Sequence, residues 1–431
     1  MRWPLACAVL VAGTPAYANP MDVFGLTSRR AGQANVGVAA TDDASALYYD
    51  PAGLVARPGG ELVLGTLAAY SHLAINTNIE KLRDPVGFQL AIRAPLPLGG
   101  ALKNRFSVGL AMHVLPRHVA RIIAPPPDEP FYPYYGDRLS RLVVLPGAAA
   151  RLGHGISIGA AVNVLAALGG SIYAAEGATR AIDARADASV PSVARVIAGV
   201  HWQQSPTLRF GLVYRQRFEL PFETTTRTIV AGEPIDLDLR ATSQFTPHQI
   251  ATGVHWTSEA FAASLDIGWA KWSGYPGPHV QVESSLPLVG PVPGQPPRVP
   301  FNDAYTVRAG LESIATEGLV YRGGYGFESS AVPQNQTGVT NLLDGTKHTV
   351  ALGGGYAFAK LRVDAHVQLQ LVSTRTLRKT VYDGMGDYDP YTSVRDEDST
   401  AAGNQITNQG YPTLKSGGEM FSAGLTVSVP L

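Results

Sequence analysis

The residues that could support catalysis or metal binding in this chain do not occur at the spacings that such chemistry requires. The ten histidines are scattered, and none forms a His-Glu-x-x-His sequence or a combined cysteine and histidine set. The Gly-x-Ser-x-Gly run at 155–159 and the glycines of 153–155 and 353–355 lie in strand or turn contexts, not at the strand-to-helix turn that a serine nucleophile or a nucleotide site requires. The acidic stretches 383–389 and 396–398 are predicted to be solvated loops, with calcium binding as the alternative. The sequence therefore predicts neither an enzyme nor a metal or cofactor site.

Arginine side chains recur at alternate positions of several segments and are the main candidates for binding chemistry. A guanidinium group can pair bidentately with a carboxylate, so a ligand that carries one has possible partners here. The alternative is structural pairing with Glu312, Glu328 or Asp364. The candidates for carboxylate binding are Arg209, Arg215, Arg308 and Arg322.

Period-two alternation indicates that β-strands position these side chains. Leu361 to Leu371 reads L-R-V-D-A-H-V-Q-L-Q-L, so apolar residues share one face while Arg362, Asp364 and His366 lie on the other. A strand of roughly 9 to 11 residues crosses a bilayer when tilted. Similar segments predict about fourteen or fifteen strands. They lie near 61–72, 86–95, 104–115, 139–152, 155–167, 193–203, 208–214, 236–245, 247–257, 260–272, 302–315, 321–328, 346–358, 361–371 and 421–431.

The composition excludes several classes of protein. Lys+Arg and Asp+Glu number 34 each, so neither a basic surface for nucleic acid nor an acidic tail is indicated. Only 16% of residues are charged, against roughly 25% in soluble domains. The 46 glycines and 32 prolines favour short strands and turns over long helices. No apolar run is long enough for a helical membrane span, which leaves spans made of alternating strands.

The first eighteen residues have the features of a secretory signal peptide. A charged start precedes an apolar stretch from Trp3 to Gly13, and Ala16-Tyr17-Ala18 provides a small-x-small cleavage site. We predict cleavage after Ala18, which removes Cys7, the sole cysteine. A short buried element of the mature fold is the alternative. The predicted product is periplasmic, secreted or inserted in an outer membrane.

The polar faces and the loop lengths favour a membrane barrel over a water-soluble sandwich. Alternation alone fits either fold, because the apolar face of a sandwich packs on a second sheet. Charged residues on the opposite face suit a polar lumen, however, and short turns alternate with long stretches near 116–138, 274–300 and 376–419. Aromatic residues near strand ends suit interfacial girdles. The predicted girdle residues are Trp202, Tyr214, Phe218, Trp256, Trp269, Trp272, Tyr321 and Tyr356.

Residues 19–60 do not alternate and are predicted to form an N-terminal hatch that plugs the lumen. Thr41 or Asp42 can cap a short helix over 43–48, and Pro51 with Gly53 ends it. Such a segment has no place in lipid and fits inside a barrel. The predicted organisation is a signal peptide over 1–18, the hatch over 19–60 and the barrel over 61–431.

Four stretches resemble the FadL/TodX family of outer-membrane transporters for long-chain fatty acids and aromatic hydrocarbons. Residues 41–54, TDDASALYYDPAGL, are similar to the family's Asn-Pro-Ala hatch motif. Residues 266–273, DIGWAKWS, are similar to its tryptophan-containing strand. Residues 302–312, NDAYTVRAGLE, and 321–333, YRGGYGFESSAVP, are similar to its Asp-x-Tyr-x-x-x-x-Gly and Arg-x-Gly-Tyr…Pro-Val-Pro pair.

The resemblance implies an all-β monomer, a transmembrane antiparallel barrel of about fourteen strands with a small helical hatch in its lumen. It further implies that extracellular loops capture a hydrophobic ligand, that the hatch rearranges, and that the ligand leaves sideways through the barrel wall. Two departures stand out. Asp50 occupies a position where the family usually has Asn, and the chain ends in Pro430-Leu431 where barrels commonly end in Phe.

The predicted function is therefore transport of hydrophobic small molecules, long-chain fatty acids or aromatic hydrocarbons, across a Gram-negative outer membrane. A structural or adhesive barrel with a closed lumen is the alternative from another class, and a secreted β-sandwich is a third. The expected partners are the substrate, outer-membrane lipid and lipopolysaccharide, and the barrel-insertion machinery, without nucleic acid. The predicted gating or ligand-contacting residues of the hatch are Phe24, Leu26, Tyr48, Tyr49, Asp50, Pro51, Ala52, Gly53 and Leu54.

Overall fold

The computed structural model describes most of the chain from Pro20 to Leu431. The predicted signal peptide and cleavage site, most of the three predicted long loops, and the acidic stretches 383–389 and 396–398 lie outside the described residues, so these predictions stay predictions. The described residues are 20–76, 78–80, 86–114, 130–136, 143–166, 169–176, 182–189, 192–230, 233–279, 281–284, 299–314, 318–334, 336, 340–358, 360–378 and 413–431.

Strands dominate the described residues. The strands are β1 (Glu61–Ile75), β2 (Asn78–Glu80), β3 (Val86–Pro95), β4 (Phe106–Val114), β5 (Val143–Gly153), β6 (Ile156–Ala166), β7 (Gly169–Glu176), β8 (Ile182–Ser189), β9 (Ser192–Gln203), β10 (Leu208–Arg215), β11 (Phe218–Val230), β12 (Glu233–Thr246), β13 (Gln249–Thr257), β14 (Phe261–Ala270), β15 (Gln281–Ser284), β16 (Ala304–Ser313), β17 (Gly318–Glu328), β18 (Lys347–Ala357), β19 (Arg362–Arg378) and β20 (Thr413–Pro430). The α-helices are α1 (Pro20–Phe24), α2 (Ser28–Ala31), α3 (Ala46–Tyr49) and α4 (Pro133–Gly136), and 3-10 helices span Pro51–Val55, Gly100–Leu102 and Trp272–Gly274. None of the helices in this part of the chain has the length and apolar content needed to cross a membrane.

Fourteen of the described strands form a closed antiparallel barrel. Its order is β1, β3, β4, β5, β6, β9, β10, β13, β14, β16, β17, β18, β19 and β20, and β1 closes the ring by pairing with both β3 and β20. The predicted barrel of about fourteen strands is confirmed. The segment predicted near 236–245 is a strand, β12, but it belongs to a second sheet with β7, β8, β11 and β15. Alternation does not separate this strand from those of the wall, because every β-strand places successive side chains on opposite faces.

Burial in the wall is the reverse of that in a soluble protein. In β19, Asp364 and His366 are 2% and 6% exposed, whereas Val367 and Leu371 are 44% and 42% exposed. Polar side chains therefore face the lumen and apolar side chains face outward, as lipid requires. Trp202, Trp256, Tyr321 and Tyr356 lie on the outside, as predicted for girdle residues.

Two of the predicted girdle residues are buried, so their assignment to the lipid surface is wrong. Phe218 is 1% exposed and Trp272 is 4% exposed. Phe218 is the first residue of β11, and Trp272 lies in the 3-10 helix that follows β14. The chain leaves the wall at both places. Alternation along a wall strand therefore no longer indicates whether a side chain points to lipid or to the interior.

The two ends of the barrel differ in their connections. The turn end carries the start of β1, the end of β20 and short links such as residues 154–155 between β5 and β6. Gly153 and Gly155 have φ of 129° and 77° there, a region that glycine occupies without strain. The loop end carries α4 and the hairpin of β11 and β12, which continues the chain between β10 and β13.

Candidate functional site

The hatch segment, residues 20–60, lies inside the barrel and contributes no strand to it. It consists of α1, α2, α3 and the 3-10 helix Pro51–Val55, joined by short turns. Leu26, Leu47 and Leu54 are 0% exposed and pack in one apolar cluster with inward-facing residues of the wall. The segment blocks the lumen between the loop end and the turn end.

Asp50 joins α3 to the following 3-10 helix and is fully buried. Its Oδ1 accepts a hydrogen bond from the Ala52 N–H at 2.9 Å, which caps that helix. A Cβ on Gly199 of β9 would collide with the carboxyl, and His201 Nε2 lies 3.4 Å from Oδ2. Burial raises the pKa of Asp50 to about 8, so the carboxyl is largely protonated at neutral pH in this closed state.

Inward-facing glycines form a belt on the wall where it meets the hatch segment. A Cβ on Gly324 would lie 2.2 Å from the Gln33 carbonyl carbon, and one on Gly211 would lie 2.5 Å from Val38 O. The hatch backbone therefore occupies the space that side chains would fill. The cross-strand pairs of this glycine belt are Gly109–Gly147, Gly159–Gly199, Gly211–Gly253 and Gly310–Gly324.

Gly324→Val is expected to displace the hatch segment, because the new side chain overlaps the Gln33 backbone. The matched control is Gly323→Val, on the outer face of the same strand, where the nearest atom is 3.9 Å from an added Cβ. Release of the hatch segment is measured with the substitution Val36→Cys, at a position that is 0% exposed in the closed state. The rate at which maleimide labels this thiol, in a protein that also carries Cys7→Ser, reports how readily the hatch leaves the lumen. Overpacking costs about 1–3 kcal/mol, so labelling should be roughly tenfold faster in Gly324→Val. Equal rates in the two variants would contradict this role of the belt.

Arginines of the wall donate hydrogen bonds to hatch carbonyls. Arg215 Nη2 donates to Tyr48 O and Tyr49 O at 2.9 and 3.0 Å. These carbonyls end α3 and have no partner within the helix, and the negative end of the helix favours a cation there. The other bonds run from Arg93 to Leu54 O and Arg57 O, from Arg151 to Val55 O, and from Arg209 to Ala39 O and Thr41 O.

A buried charge network joins the hatch to β16, β17 and β19. Glu312 accepts hydrogen bonds from Arg29 Nη2 at 2.7 Å and from Arg322 Nε at 2.6 Å. Arg322 also lies 3.0 Å from Asp364, and Arg29 lies 2.6 Å from Asp42. Burial by itself would raise the pKa of Asp42, but the surrounding arginines, Arg29 foremost, hold it well below its usual range. The ionised network ties the hatch to the wall.

Three tyrosines around α4 form a second closure at the loop end, which we call the tyrosine lid (residues 131–136). Their rings pack against one another edge to face, with centroids 6.4 and 5.0 Å apart. Each hydroxyl group bonds to a different barrel strand. Tyr132, Tyr134 and Tyr135 donate to Ala74 O at 2.7 Å, Glu328 Oε2 at 3.0 Å and Gln370 Oε1 at 2.7 Å.

A cavity of about 70 Å³ lies between the tyrosine lid and the hatch segment. Tyr134 and Trp272 line it on the loop side, and Tyr48 and Tyr49 line it on the hatch side. An aromatic cluster continues from Trp272 away from the cavity, with ring centroids 4.8 to 6.4 Å apart. The members of that cluster are Phe245, Trp272, Tyr275 and Phe301.

The polar lining of this cavity includes two basic and three acidic side chains. Arg215 and Arg308 face it, as do Asp22, Asp266 and Glu328. Arg308 Nη2 lies 3.8 Å from Glu328 Oε2, and Arg215 is bound to the α3 carbonyls. The cavity therefore combines an apolar aromatic side with polar groups that already have partners.

A larger space of about 220 Å³ opens at the turn end below the hatch. Charged side chains dominate its lining, including Arg57, Glu61, Arg93 and Arg362. Arg57 pairs with Asp42 across it at 2.9 Å. This turn-end vestibule is a polar environment that an apolar solute would enter only at a cost.

The structure places the predicted site residues in four groups. Tyr48, Tyr49, Arg215 and Arg308 line the cavity, whereas Phe24 packs in the apolar cluster that includes the tyrosine lid. Arg209 and Arg322 do not line it and instead hold the hatch carbonyls and the charge network. The remaining predicted residues, Leu26, Asp50, Pro51, Ala52, Gly53 and Leu54, lie deeper in the hatch.

Sequence reasoning did not find Leu47, Tyr134, Trp272 and Glu328 as site residues. The run FYPYYG at 131–136 was a usable signal, because so many aromatic residues are unusual in a solvated loop. Among the described residues there is no group of three or more His, Cys, Asp or Glu that could hold a metal ion.

Comparisons with known proteins agree with this architecture. No family model matches the sequence. Alkane uptake protein A of Marinobacter nauticus is 23% identical over 378 residues, which covers 80% of this chain and 81% of that protein. A FadL homologue of Pseudomonas aeruginosa superposes with a TM-score of 0.59 at 12% identity, over 97% of this chain and 99% of the other.

Two further solved structures bear on the fold. The toluene transporter TodX of Pseudomonas putida gives a TM-score of 0.57 at 14% identity, over 93% of this chain and 97% of that one. CymD, a monoaromatic hydrocarbon channel, gives 0.55 at 15% identity, over 94% and 97%. The chain has the FadL/TodX fold. The resemblance indicated by the four sequence stretches is thus confirmed at the level of the fold.

Proposed function

We propose that this FadL-like barrel takes up uncharged hydrophobic small molecules through the outer membrane. The observation that carries the proposal is the cavity between the tyrosine lid and the hatch, with aromatic rings on its loop side, inside a barrel with a lipid-facing surface. The relatives support the class of substrate, since their names refer to alkanes, toluene and monoaromatic hydrocarbons. The loop end faces the outside of the cell and the turn end faces the periplasm.

The charges of the lumen favour neutral substrates over fatty acids. Each arginine predicted to bind a carboxylate already has a partner: hatch carbonyls for Arg209 and Arg215, and acidic side chains for Arg308 and Arg322. At Arg308 and Arg322 a carboxylate would have to displace an acidic partner and leave it buried without a counter-charge, and at Arg209 and Arg215 it would leave buried hatch carbonyls without a donor, which is costly in both cases. Hydrocarbons require no such exchange.

Lateral exit through the wall is supported by an interruption between β5 and β6. Pairing stops after Val144 and resumes at Gly147, so Leu145 and Pro146 have no partners in β6. Proline lacks the N–H that a ladder bond needs. The alternative exit is the turn-end vestibule, whose charged lining opposes an apolar solute. We call the wall around Pro146, Gly147 and Gly109 the lateral window.

Leu47 of α3 closes the lateral window from the inside. A Cβ on Gly147 would lie 2.6 Å from Leu47 Cδ2, and one on Gly109 would lie 3.0 Å from Leu47 Cδ1. The two glycines have no side chain to fill the lumen here, and Leu47 covers the wall at this place. Movement of the hatch would uncover it.

Leu47→Ala is expected to raise uptake of a labelled alkane or of toluene several-fold, because it removes the side chain that fills the window. The matched control is Leu26→Ala, which creates a cavity in the same apolar cluster without opening the wall. Heat-modifiable mobility on gels verifies that both barrels are folded. Equal uptake by the two variants would contradict a gate at Leu47.

Uptake of labelled decane, toluene and oleate into a host that lacks its own transporter tests the function itself. Wild type should take up decane or toluene in preference to oleate. A deletion from Asn35 to Asp50 removes the hatch residues that block the lumen, and it should change that rate if the barrel still folds at the surface. No difference between wild type and the deletion would refute transport and would favour the structural or adhesive barrel.

The remaining partners follow from this location. We infer a monomer that contacts lipid and lipopolysaccharide through its apolar outer face and that depends on the barrel-insertion machinery. Transport in this scheme involves no bond chemistry and no cofactor.

A further inference from the structure

Two polar side chains on the inner wall beside the lateral window are buried without hydrogen-bond partners. His113 in β4 and Asn163 in β6 are each 0% exposed. Within the described residues, both ring nitrogens of His113 and both amide atoms of Asn163 lack a partner. A buried polar group without a partner destabilises the fold, because it has lost its hydrogen bonds to water. Four such atoms beside one window therefore indicate a site that a ligand or water completes.

The strand register places the two side chains on either side of β5. His113 pairs with Val143, and Asn163 lies opposite Leu145 in the stretch where pairing is interrupted. Strand spacing and rise per residue put the two Cα atoms roughly 12 Å apart. Val143 and Leu145, both 0% exposed, face the lumen between them. A hydrocarbon chain lying on these two side chains can present an oxygen atom to either polar group.

The chemistry of the two groups points to a neutral oxygen rather than a carboxylate. A neutral imidazole and an amide each both donate and accept hydrogen bonds, which matches a hydroxyl group. The nearest cation by register is Arg195, which pairs with Asn163 across β6 and β9 and already has an interaction of its own. Without a free cation, a carboxylate is disfavoured.

We propose that His113 and Asn163 form a binding site for the oxygen of uncharged oxygenated hydrocarbons, alcohols above all, on their way to the lateral window. This inference rests on the proposed transport function and narrows its substrate class. An alkane at the same place would leave all four polar atoms unpaired. Discrimination between an alcohol and the corresponding alkane is the expected consequence.

The ratio of 1-decanol uptake to decane uptake tests the site. In the double variant His113→Leu/Asn163→Leu the ratio should fall about tenfold, because the hydrogen bonds to the hydroxyl group are lost. Decane uptake should stay unchanged or rise. The control is Ser107→Ala, which is 3% exposed on the inner face of β4 towards the turn end and should leave the ratio unchanged. An unchanged ratio in a folded double variant overturns the proposal and leaves transport standing.

A binding measurement separates failure of the site from failure of transport. In purified protein with 15N-labelled histidine, the His113 ring signals, identified by their loss in His113→Leu, should shift on addition of 1-octanol and not of octane. A shift without any uptake in cells would refute the transport function and retain the site. Ring signals that do not respond to 1-octanol would indicate that only buried water fills the site, and would overturn the proposal.

Discussion

Glu312→Gln is expected to loosen the closed hatch by about 3–5 kcal/mol, because it removes the shared partner of two buried arginines. Glu312 accepts hydrogen bonds from Arg29 and Arg322, whose side chains are 9% and 0% exposed. Glutamine keeps the shape but leaves the arginine charges in excess, and its amide group turns a donor towards another donor. The backbone ladder of the barrel is untouched, and among the contacts of Glu312 the one with Arg29 ties the wall to the hatch.

The labelling rate of the Val36→Cys reporter measures this release, and uptake of decane provides a second readout. The matched control is Glu219→Gln, which breaks the pair with Arg217 on the loop side, where these side chains are 26% and 45% exposed. An exposed pair contributes about 0–1 kcal/mol, so the control should label at nearly the wild-type rate. Similar rates for both glutamine variants would show that the network does not hold the hatch.

Asp50→Asn is expected to abolish a pH dependence of hatch opening. Burial raises the pKa of Asp50 to about 8 in the closed state, whereas an aspartate in water has a pKa of about 3.9. The closed state thus keeps a proton that the open state has lost at neutral pH. Closure is most stable below pH ~4 and weakens as the pH rises towards ~8. The slope is about 1.4 kcal/mol per pH unit, so opening increases by up to roughly 100-fold between pH 6 and 8.

Reporter labelling at pH 6, 7 and 8, corrected for the reactivity of the thiol, measures this effect. Asparagine keeps an acceptor for the Ala52 N–H and does not titrate. The corrected labelling rate of the Asp50→Asn variant should therefore be the same at all three pH values. The charged or titratable groups that face Asp50 are His201, Arg215 and Asp266. The pH dependence of labelling in a His201→Gln variant shows whether the histidine contributes to the effect, since that variant keeps Asp50 and has no imidazole at position 201. A pH dependence that persists in Asp50→Asn would assign the effect to another group.

Two closures in series characterise the path through this protein. The tyrosine lid is held by three side-chain hydrogen bonds, one of them to the carboxylate of Glu328, and by aromatic contacts. The hatch is held by buried ion pairs and by close backbone contact with the glycine belt. The lid therefore opens at a lower cost than the hatch, and we expect the hatch to limit the rate of transport.

Much of the barrel was predictable because alternation is a local property. The alternation of Leu361 to Leu371 predicts which side chains face lipid. In β19 this prediction is confirmed, because Asp364 is buried and Val367 is exposed. The hatch stood out because residues 19–60 lack this alternation. The pattern does not report where the chain leaves the wall, which is why Phe218 and Trp272 were misplaced.

The arginines show where sequence reasoning ends. Period two predicted that Arg209, Arg215, Arg308 and Arg322 point into the lumen, but it could not tell a ligand-binding cation from one that holds the hatch. Arg29 and Glu312 meet across a separation of 283 residues, and such a contact depends on strand register and on where the hatch comes to rest. The sequence by itself determined the barrel, the plug and the face on which the side chains of the alternating wall strands lie. Only the tertiary structure decided their partners, because the periodicity of a strand encodes the face of a residue and not what lies opposite it.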